Sequence, residues 1–260
     1  MPYIRRKYLN KLIDKAGDYF RHIIVIPSVP GVASTAVVGR DLAYTFGLEV
    51  KQNLLDPWNK KAKRTLDLFG VVMGGLLISP LLLAIAALIK LDSPGPVFYK
   101  QIRLGTGGRY FSCWKFRTMY VDSERLLTEL LRSKPDLRVE WEKFHKLRVD
   151  PRITPIGHFL RKSSLDELPQ LWNVLRGEMS LIGPRPIVDT ETSKYKGAYK
   201  LYLRVKPGMS GLWQVSGRSN TSYQERVELD TYYVRNWSIW LDLVILARTV
   251  GTVIFNQGAH

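Results

Sequence analysis

From Leu68 to Ile89 the chain carries no charged residue, a run of 22 positions. As a helix it is long enough to cross the roughly 30 Å hydrocarbon layer of a bilayer. Two details argue against a simple span. Ser79-Pro80 stands at its middle, and a proline there removes a backbone donor and clashes with the preceding turn. Lys60, Lys61, Lys63 and Arg64 precede the run, and Lys90, Lys100 and Arg103 follow it. Both ends therefore carry the positive flank expected of the cytoplasmic side. The pattern predicts a re-entrant helix-break-helix that enters and leaves one leaflet, with the backbone at the bend satisfied locally, for instance by the Ser79 hydroxyl.

On either side of this anchor, residues 60–91, the periodicity changes. Upstream, the stretches His22–Pro27 and Thr35–Tyr44 read as a strand, a Gly/Pro loop and a further short element. They are too small to hold a core alone, so residues 1–59 are expected to be the tail of a larger N-terminal domain or an appendage packed on the downstream domain. Downstream, Val97–Leu104 and Tyr110–Phe116 flank Gly105-Thr106-Gly107-Gly108 as a β-hairpin. Residues 123–148 are helical in pattern with an interruption at Pro135, and residues 164–175 read as another helix. Residues 239–255 are apolar but broken by Asp242 and Arg248, which fits an interfacial or core amphipathic helix better than a second span. The expected fold class is α/β in the mixed α+β sense: a membrane-associated domain over residues 92–260 behind a re-entrant anchor.

Charge narrows the partner. The chain of 260 residues holds 39 Lys and Arg against 23 Asp and Glu, a formal charge of +16. That implies an anion: phosphate, an acidic lipid head group or nucleic acid. The single cysteine, Cys113, excludes an internal disulfide and a four-Cys zinc site and reads as a buried apolar residue. His22, His145, His158 and His260 form no His-x-x-x-His pair, which argues against zinc hydrolysis. There is no Gly-x-x-x-x-Gly-Lys-Ser/Thr loop and no Gly-x-Ser-x-Gly elbow. The basic start, Met1–Lys15, lacks the apolar run of a signal peptide.

The chemistry concentrates in Leu160-Arg161-Lys162-Ser163-Ser164-Leu165-Asp166-Glu167-Leu168-Pro169-Gln170. Ser164 through Glu167 is a capping box by pattern. The same geometry, a helix start beside Arg161 and Lys162, also prepares a site for a diphosphate. Adjacent carboxylates then divide the labour: Asp166 attacks phosphorus while Glu167 holds a divalent cation. In Gly183-Pro184-Arg185-Pro186, stiff flanks either make a surface turn or preorganise Arg185 for a phosphate or base contact. Lys115-Phe116-Arg117 reads as a half-buried strand whose basic face supplies positive charge. Pro207 through Gln214 is a turn leading into apolar residues, with no role that its pattern reveals.

Together these stretches resemble the bacterial sugar transferase family, the monotopic phosphoglycosyl transferases. The likeness runs from about Lys63 to the C-terminus. It rests on Lys63-Arg64-Thr65-Leu66-Asp67, the Ser79-Pro80 break, Ser93-Pro94-Gly95-Pro96-Val97-Phe98, Lys115-Phe116-Arg117-Thr118-Met119, Ser164 through Gln170, Gly183 through Pro186, and Lys206-Pro207-Gly208 continuing to Gly217-Arg218. Each motif is weak alone and specific in combination.

The resemblance implies an anchor in one leaflet of the bacterial inner membrane and a catalytic domain on its cytoplasmic face. It implies transfer of a sugar 1-phosphate from a UDP-sugar to undecaprenyl phosphate, opening the assembly of a surface polysaccharide such as O-antigen or capsule. Galactose is the sugar by overall likeness; nothing in charge or spacing separates it from glucose. Asp166 would be the nucleophile of a covalent phosphosugar intermediate and Glu167 the Mg²⁺ ligand. Arg161 would contact phosphate and Arg185 would lie near the nucleotide, with Lys115 and Arg117 adding charge. Asp230 and Asp242 match acidic residues of the C-terminal part, in a site or a structural role. Membrane lipids and a second copy of the chain are the further implied partners, and nucleic acid is not among them. Two rivals stand beside this expectation: direct transfer with Asp166 binding only metal, and a non-catalytic polybasic scaffold on anionic lipid.

Overall fold

Two short strands, β1 (Val37–Asp41) and β2 (Phe46–Val50), pair antiparallel ahead of the long apolar helix. They belong to a computed structural model that describes residues 37–41, 46–50, 53–144, 147, 149–217 and 221–254, all within the unit Ala33–His260. The stretch His22–Pro27 lies outside the described residues, while Val37–Asp41 falls inside the expected Thr35–Tyr44 element.

Helix α1 (Pro57–Asp92) has 36 residues. Its start is set by Pro57 at the first position and by Asp56, whose carboxylate accepts from the amides of Trp58 and Asn59. The basic flank is partly consumed in docking this helix. Lys63 Nζ lies 2.6 Å from Asp242 Oδ2, and Arg64 donates to the carbonyls of Val174 and Leu175. Asp67 accepts from Ser180 Oγ and the Leu181 amide. Beyond it, Val71 packs with Phe111, Cys113, Val174 and Met179, while Ile85 and Ile89 pack with Phe116 and Leu160. Helix faces on both sides of Pro80 thus return to the same domain. Between Val71 and Ile85 lie residues 72–84, about 20 Å of helix, short of the roughly 30 Å of a hydrocarbon layer. Leu76 and Leu77 in this interval are 69% and 81% exposed.

The expected break takes a different form. Pro80 sits inside one continuous helix, with no non-helical residue separating two arms. The carbonyl that Pro80 leaves without its amide partner is that of Leu76, and Ser79 Oγ donates to it at 2.8 Å. The local satisfaction expected of Ser79 is present, and it lets helical hydrogen bonding continue past the proline.

Strands β3 (Phe98–Leu104) and β4 (Tyr110–Phe116) form the expected antiparallel hairpin, its turn requiring the positive φ of Gly107 (69°) and Gly108 (77°). Helices α2 (Ser123–Ser133) and α3 (Pro135–Phe144) break at Lys134, before the proline, as the sequence predicts. Helix α4 (Pro155–Ser163) is capped by Thr154 and followed by a 3₁₀ turn, Leu165–Glu167, and then by α5 (Gln170–Arg176). This corrects the single helix expected over 164–175. Ser164 ends α4 in a left-handed conformation (φ 58°), and its side chain caps nothing. The capping box fails because the Glu167 carboxylate is engaged by Lys115, across from β4.

Strand β5 (Ser180–Ile182) pairs parallel with β6 (Gly208–Ser210), and the crossover between them contains the short helices α6 (Thr192–Tyr195) and α7 (Tyr199–Tyr202). A single turn of helix, α8 (Leu212–Val215), precedes α9 (Tyr223–Asn236) and α10 (Ile239–Ile254). In α10, Asp242 and Ile245 are buried, while Trp240, Leu243, Leu246 and Val250 are exposed. One face docks and an apolar face is left outward, the amphipathic pattern expected of 239–255. The described residues thus combine helices with three two-stranded sheets, a mixed α+β fold around one long apolar helix.

Candidate active site

Period-two alternation and the register of the hairpin (Gln101 opposite Cys113, Arg103 opposite Phe111) put Arg103, Cys113 and Lys115 on one face. The left-handed turn at Ser164 swings Asp166 and Glu167 toward that face. Lys115 Nζ lies 2.7 Å from Glu167 Oε1 and 3.8 Å from Asp166 Oδ2. Arg103, Cys113, Lys115, Glu167, Gln170, Arg185, Pro186, Met209 and Gln214 line one cleft. Four elements converge there: the hairpin, the turn before α5, the loop after β5 and the segment after β6.

The two carboxyls are tuned in opposite directions. Burial pushes Asp166 up to about 6, reinforced by the neighbouring charge of Glu167 and opposed by Lys115 and Arg161. Burial acts on Glu167 too, but the Lys115 ammonium, its hydrogen bond and the charge of Arg185 outweigh it and hold Glu167 below the ordinary range. At neutral pH both are ionised, and Asp166 is the more basic oxygen donor.

Arg161 stands on α4 with its Nε on Thr118 Oγ1 at 2.9 Å, near enough to Asp166 and Asp150 to feel both charges. Arg185 leaves the Gly183–Pro186 segment with its guanidinium 5.6 Å from the centre of the Trp213 ring. The sequence left Pro207 through Gln214 without a role, and the fold supplies one. Gly183 N donates to Ser210 O and Gly208 N to Pro184 O, at 2.9 and 2.8 Å, so this segment is the backbone mould of the Arg185 loop. Any side chain at Gly208 would collide with the Gly183 backbone.

Arg117 does not join the cleft. The strand ends at Phe116, so the alternation that would align Arg117 with Lys115 stops there. Its guanidinium instead donates to the carbonyls of Ser93 and Pro94 and to Ser93 Oγ, fixing the chain as it leaves α1. Asp242 is likewise structural: it takes Lys63, Tyr233 Oη and Trp237 Nε1. Asp230 is buried away from the cleft lining, accepts from Tyr195 Oη at 2.7 Å, and is pushed by burial up to about 7. Sequence reasoning did not assign Arg103 to the site. The hairpin register would have found it, since Arg103 shares a face with Lys115.

A family model described as bacterial sugar transferase matches residues 58–256. The chain is 48% identical over 245 residues to a UDP-galactose-lipid carrier transferase of Erwinia amylovora, covering 92% of this chain and 50% of that protein. It is 43% identical over 254 residues to an undecaprenyl-phosphate galactose phosphotransferase of Salmonella typhimurium, covering 96% and 52%. The chain therefore spans about half the length of these two relatives. The exopolysaccharide production protein ExoY of Rhizobium meliloti is 45% identical over 221 residues, covering 85% of this chain and 98% of the relative. With the family match extending over residues 58–256, from the start of α1 through α10, the chain belongs to the bacterial sugar transferase family.

Proposed function

We propose that the chain transfers a sugar 1-phosphate from a UDP-sugar to undecaprenyl phosphate. The observation that carries this reading is the carboxylate pair Asp166 and Glu167, held on a strained turn and both within reach of Lys115, with Glu167 lining a cleft whose other charged groups, Arg103, Lys115 and Arg185, are all cations. An Asp166 oxygen attacks the phosphorus attached to the sugar, the bond to the bridging oxygen breaks, and UMP departs with that electron pair. A phosphate oxygen of the polyprenyl acceptor then attacks the same phosphorus and releases the Asp166 carboxylate. Arg161, Arg185 and Arg103 offset the repulsion between a carboxylate and an anionic diphosphate.

Magnesium belongs to the same proposal. Two hard carboxylates suit an ion that takes one or two such ligands and completes its shell from phosphate oxygens. Glu167 would hold it, and when bound it would neutralise charge on the diphosphate.

The acceptor keeps its hydrocarbon tail in the bilayer. Its phosphate is presented at head-group level, where an anchor confined to one leaflet would hold the cleft. The short interval between Val71 and Ile85 and the cationic flanks at both ends of α1 support the re-entrant reading, with the domain on the cytoplasmic face of the inner membrane. The names of the Erwinia and Salmonella relatives support galactose as the sugar, and that of the Rhizobium relative supports exopolysaccharide production as the setting. A homodimer is an expectation carried by family likeness. The scaffold reading is weakened because Lys63 and Arg64 are spent inside the fold.

The deciding experiment is UMP release from a panel of UDP-sugars with purified protein, Mg²⁺ and undecaprenyl phosphate. Release with one sugar, lost by at least about 10³-fold in Asp166→Asn, is expected. Undiminished release in that variant would overturn the covalent mechanism. No release by folded native protein would leave the scaffold.

A further inference from the structure

Two arginines line the cleft, and they are supported unequally. Arg103 donates to Pro186 O and Gln101 Oε1 and lies 3.8 Å from Glu191. Among the described residues Arg185 has no ion pair, and its guanidinium rests over the indole of Trp213. That indole is itself not pinned by a hydrogen bond: its N–H is buried without a partner among the described residues. What steadies it is a second guanidinium, Arg226 on α9, 5.1 Å from the ring centre and 4.9 Å from the Tyr223 ring. Arg226 is half-buried, its Nε and Nη2 are shielded from solvent with no hydrogen-bond partner among the described residues, and its Nη1 lies 3.5 Å from Glu191. Glu191 is thus shared by Arg103 directly and by Arg226.

Three mutually repelling cations held this close need a reason, because burying an arginine with two unpaired donors carries a stability cost. We propose that Glu191, Arg226 and Trp213 form a bracket of positioning residues that holds Arg103 and Arg185 apart and aimed into the cleft for the diphosphate of the nucleotide donor. This inference rests on the function proposed above. None of the three residues needs to touch substrate. The indole face attracts both guanidiniums through its quadrupole, so it fixes Arg185 without consuming the donors that face the cleft. The Glu191 carboxylate, within reach of Arg103 and Arg226, offsets the repulsion between those two from behind. Free of the indole, Arg185 would sample many rotamers, and ordering it would be charged against substrate binding.

The test uses Trp213→Ala, Trp213→Phe and Glu191→Gln in the full chain. It measures UMP release at varied UDP-sugar and, separately, equilibrium binding of UMP by calorimetry. Trp213→Ala is expected to raise both KM and the UMP dissociation constant about tenfold, more than it lowers kcat, with Trp213→Phe recovering most of the loss. Glu191→Gln, which loosens both arginines, is expected to weaken UMP binding at least as much. A merely structural role would lower the melting temperature and the active fraction while leaving KM and UMP affinity at native values, and that result would overturn the bracket. Native turnover with unchanged UMP affinity in Trp213→Ala would sink the bracket alone. Native protein that binds neither UMP nor any UDP-sugar would sink it together with the proposed function.

Discussion

Lys115 and Glu167 are joined at 2.7 Å across the gap between strand β4 and the turn that precedes α5, and the same ammonium reaches Asp166 at 3.8 Å. One cation thus serves two carboxylates at unequal distance: burial wins at Asp166 and raises it, while at Glu167 the closer, hydrogen-bonded ammonium and the charge of Arg185 outweigh burial and lower it. For a nucleophilic Asp166 the consequence is an acid limb. As pH falls through about 6 the carboxyl takes a proton and kcat/KM should drop tenfold per unit. Because Lys115 opposes the upward shift, Lys115→Met should move that limb to higher pH by about one unit. A pH–rate profile of both proteins checks this; a limb that stays in place would separate Lys115 from the titration of Asp166.

The ion pair between Lys63 and Asp242 is buried and closed further by Tyr233 and Trp237. Removing one partner strands the other's charge, so Lys63→Met or Asp242→Asn should each destabilise the domain by about 3–5 kcal/mol. The double variant should recover part of that loss. Thermal unfolding in detergent measures it, and additive losses would argue against a coupled pair.

Asp230 is 3% exposed and raised to about 7 from its ordinary 3.8. A carboxyl raised in the folded state favours the fold at low pH, and that advantage is lost as pH rises from about 4 through about 7. The loss is at most about 4 kcal/mol. Asp230→Asn keeps an oxygen for Tyr195 and removes the titration, so its stability should vary less between pH 5 and 8. Denaturant titrations at both pH values decide, and an unchanged slope would show that Arg226 already neutralises the site.

Lys60 and Lys100 lie exposed on opposite sides of the apolar run. A re-entrant anchor puts both on the cytoplasmic side. Lys60→Cys and Lys100→Cys should therefore both react with a membrane-impermeant maleimide in inside-out vesicles, against a native Cys113 that is 1% exposed. Protection of either one would mean that α1 crosses the bilayer.

The hairpin, the break before Pro135, the long apolar helix and the amphipathic C-terminal helix were legible in the chain, because each depends on neighbours two to four positions away. Ser79 answering the carbonyl freed by Pro80 is equally local. So is the adjacency of Asp166 and Glu167. What the sequence by itself could not determine is which basic residue meets which partner. Lys115 and Arg117 are two apart in a strand pattern, yet one reaches the carboxylate pair and the other clamps Ser93, because β4 ends between them. The capping box of Ser164 was overruled by the Lys115 ammonium, 52 residues before the Glu167 it engages. Asp242 and Asp230 look alike in sequence, and only packing makes one a docking point for Lys63 and the other a buried partner of Tyr195. The physical reason is range. Periodicity and caps act over a turn or two, whereas ion pairing and burial depend on where distant segments meet, which only the tertiary structure fixes.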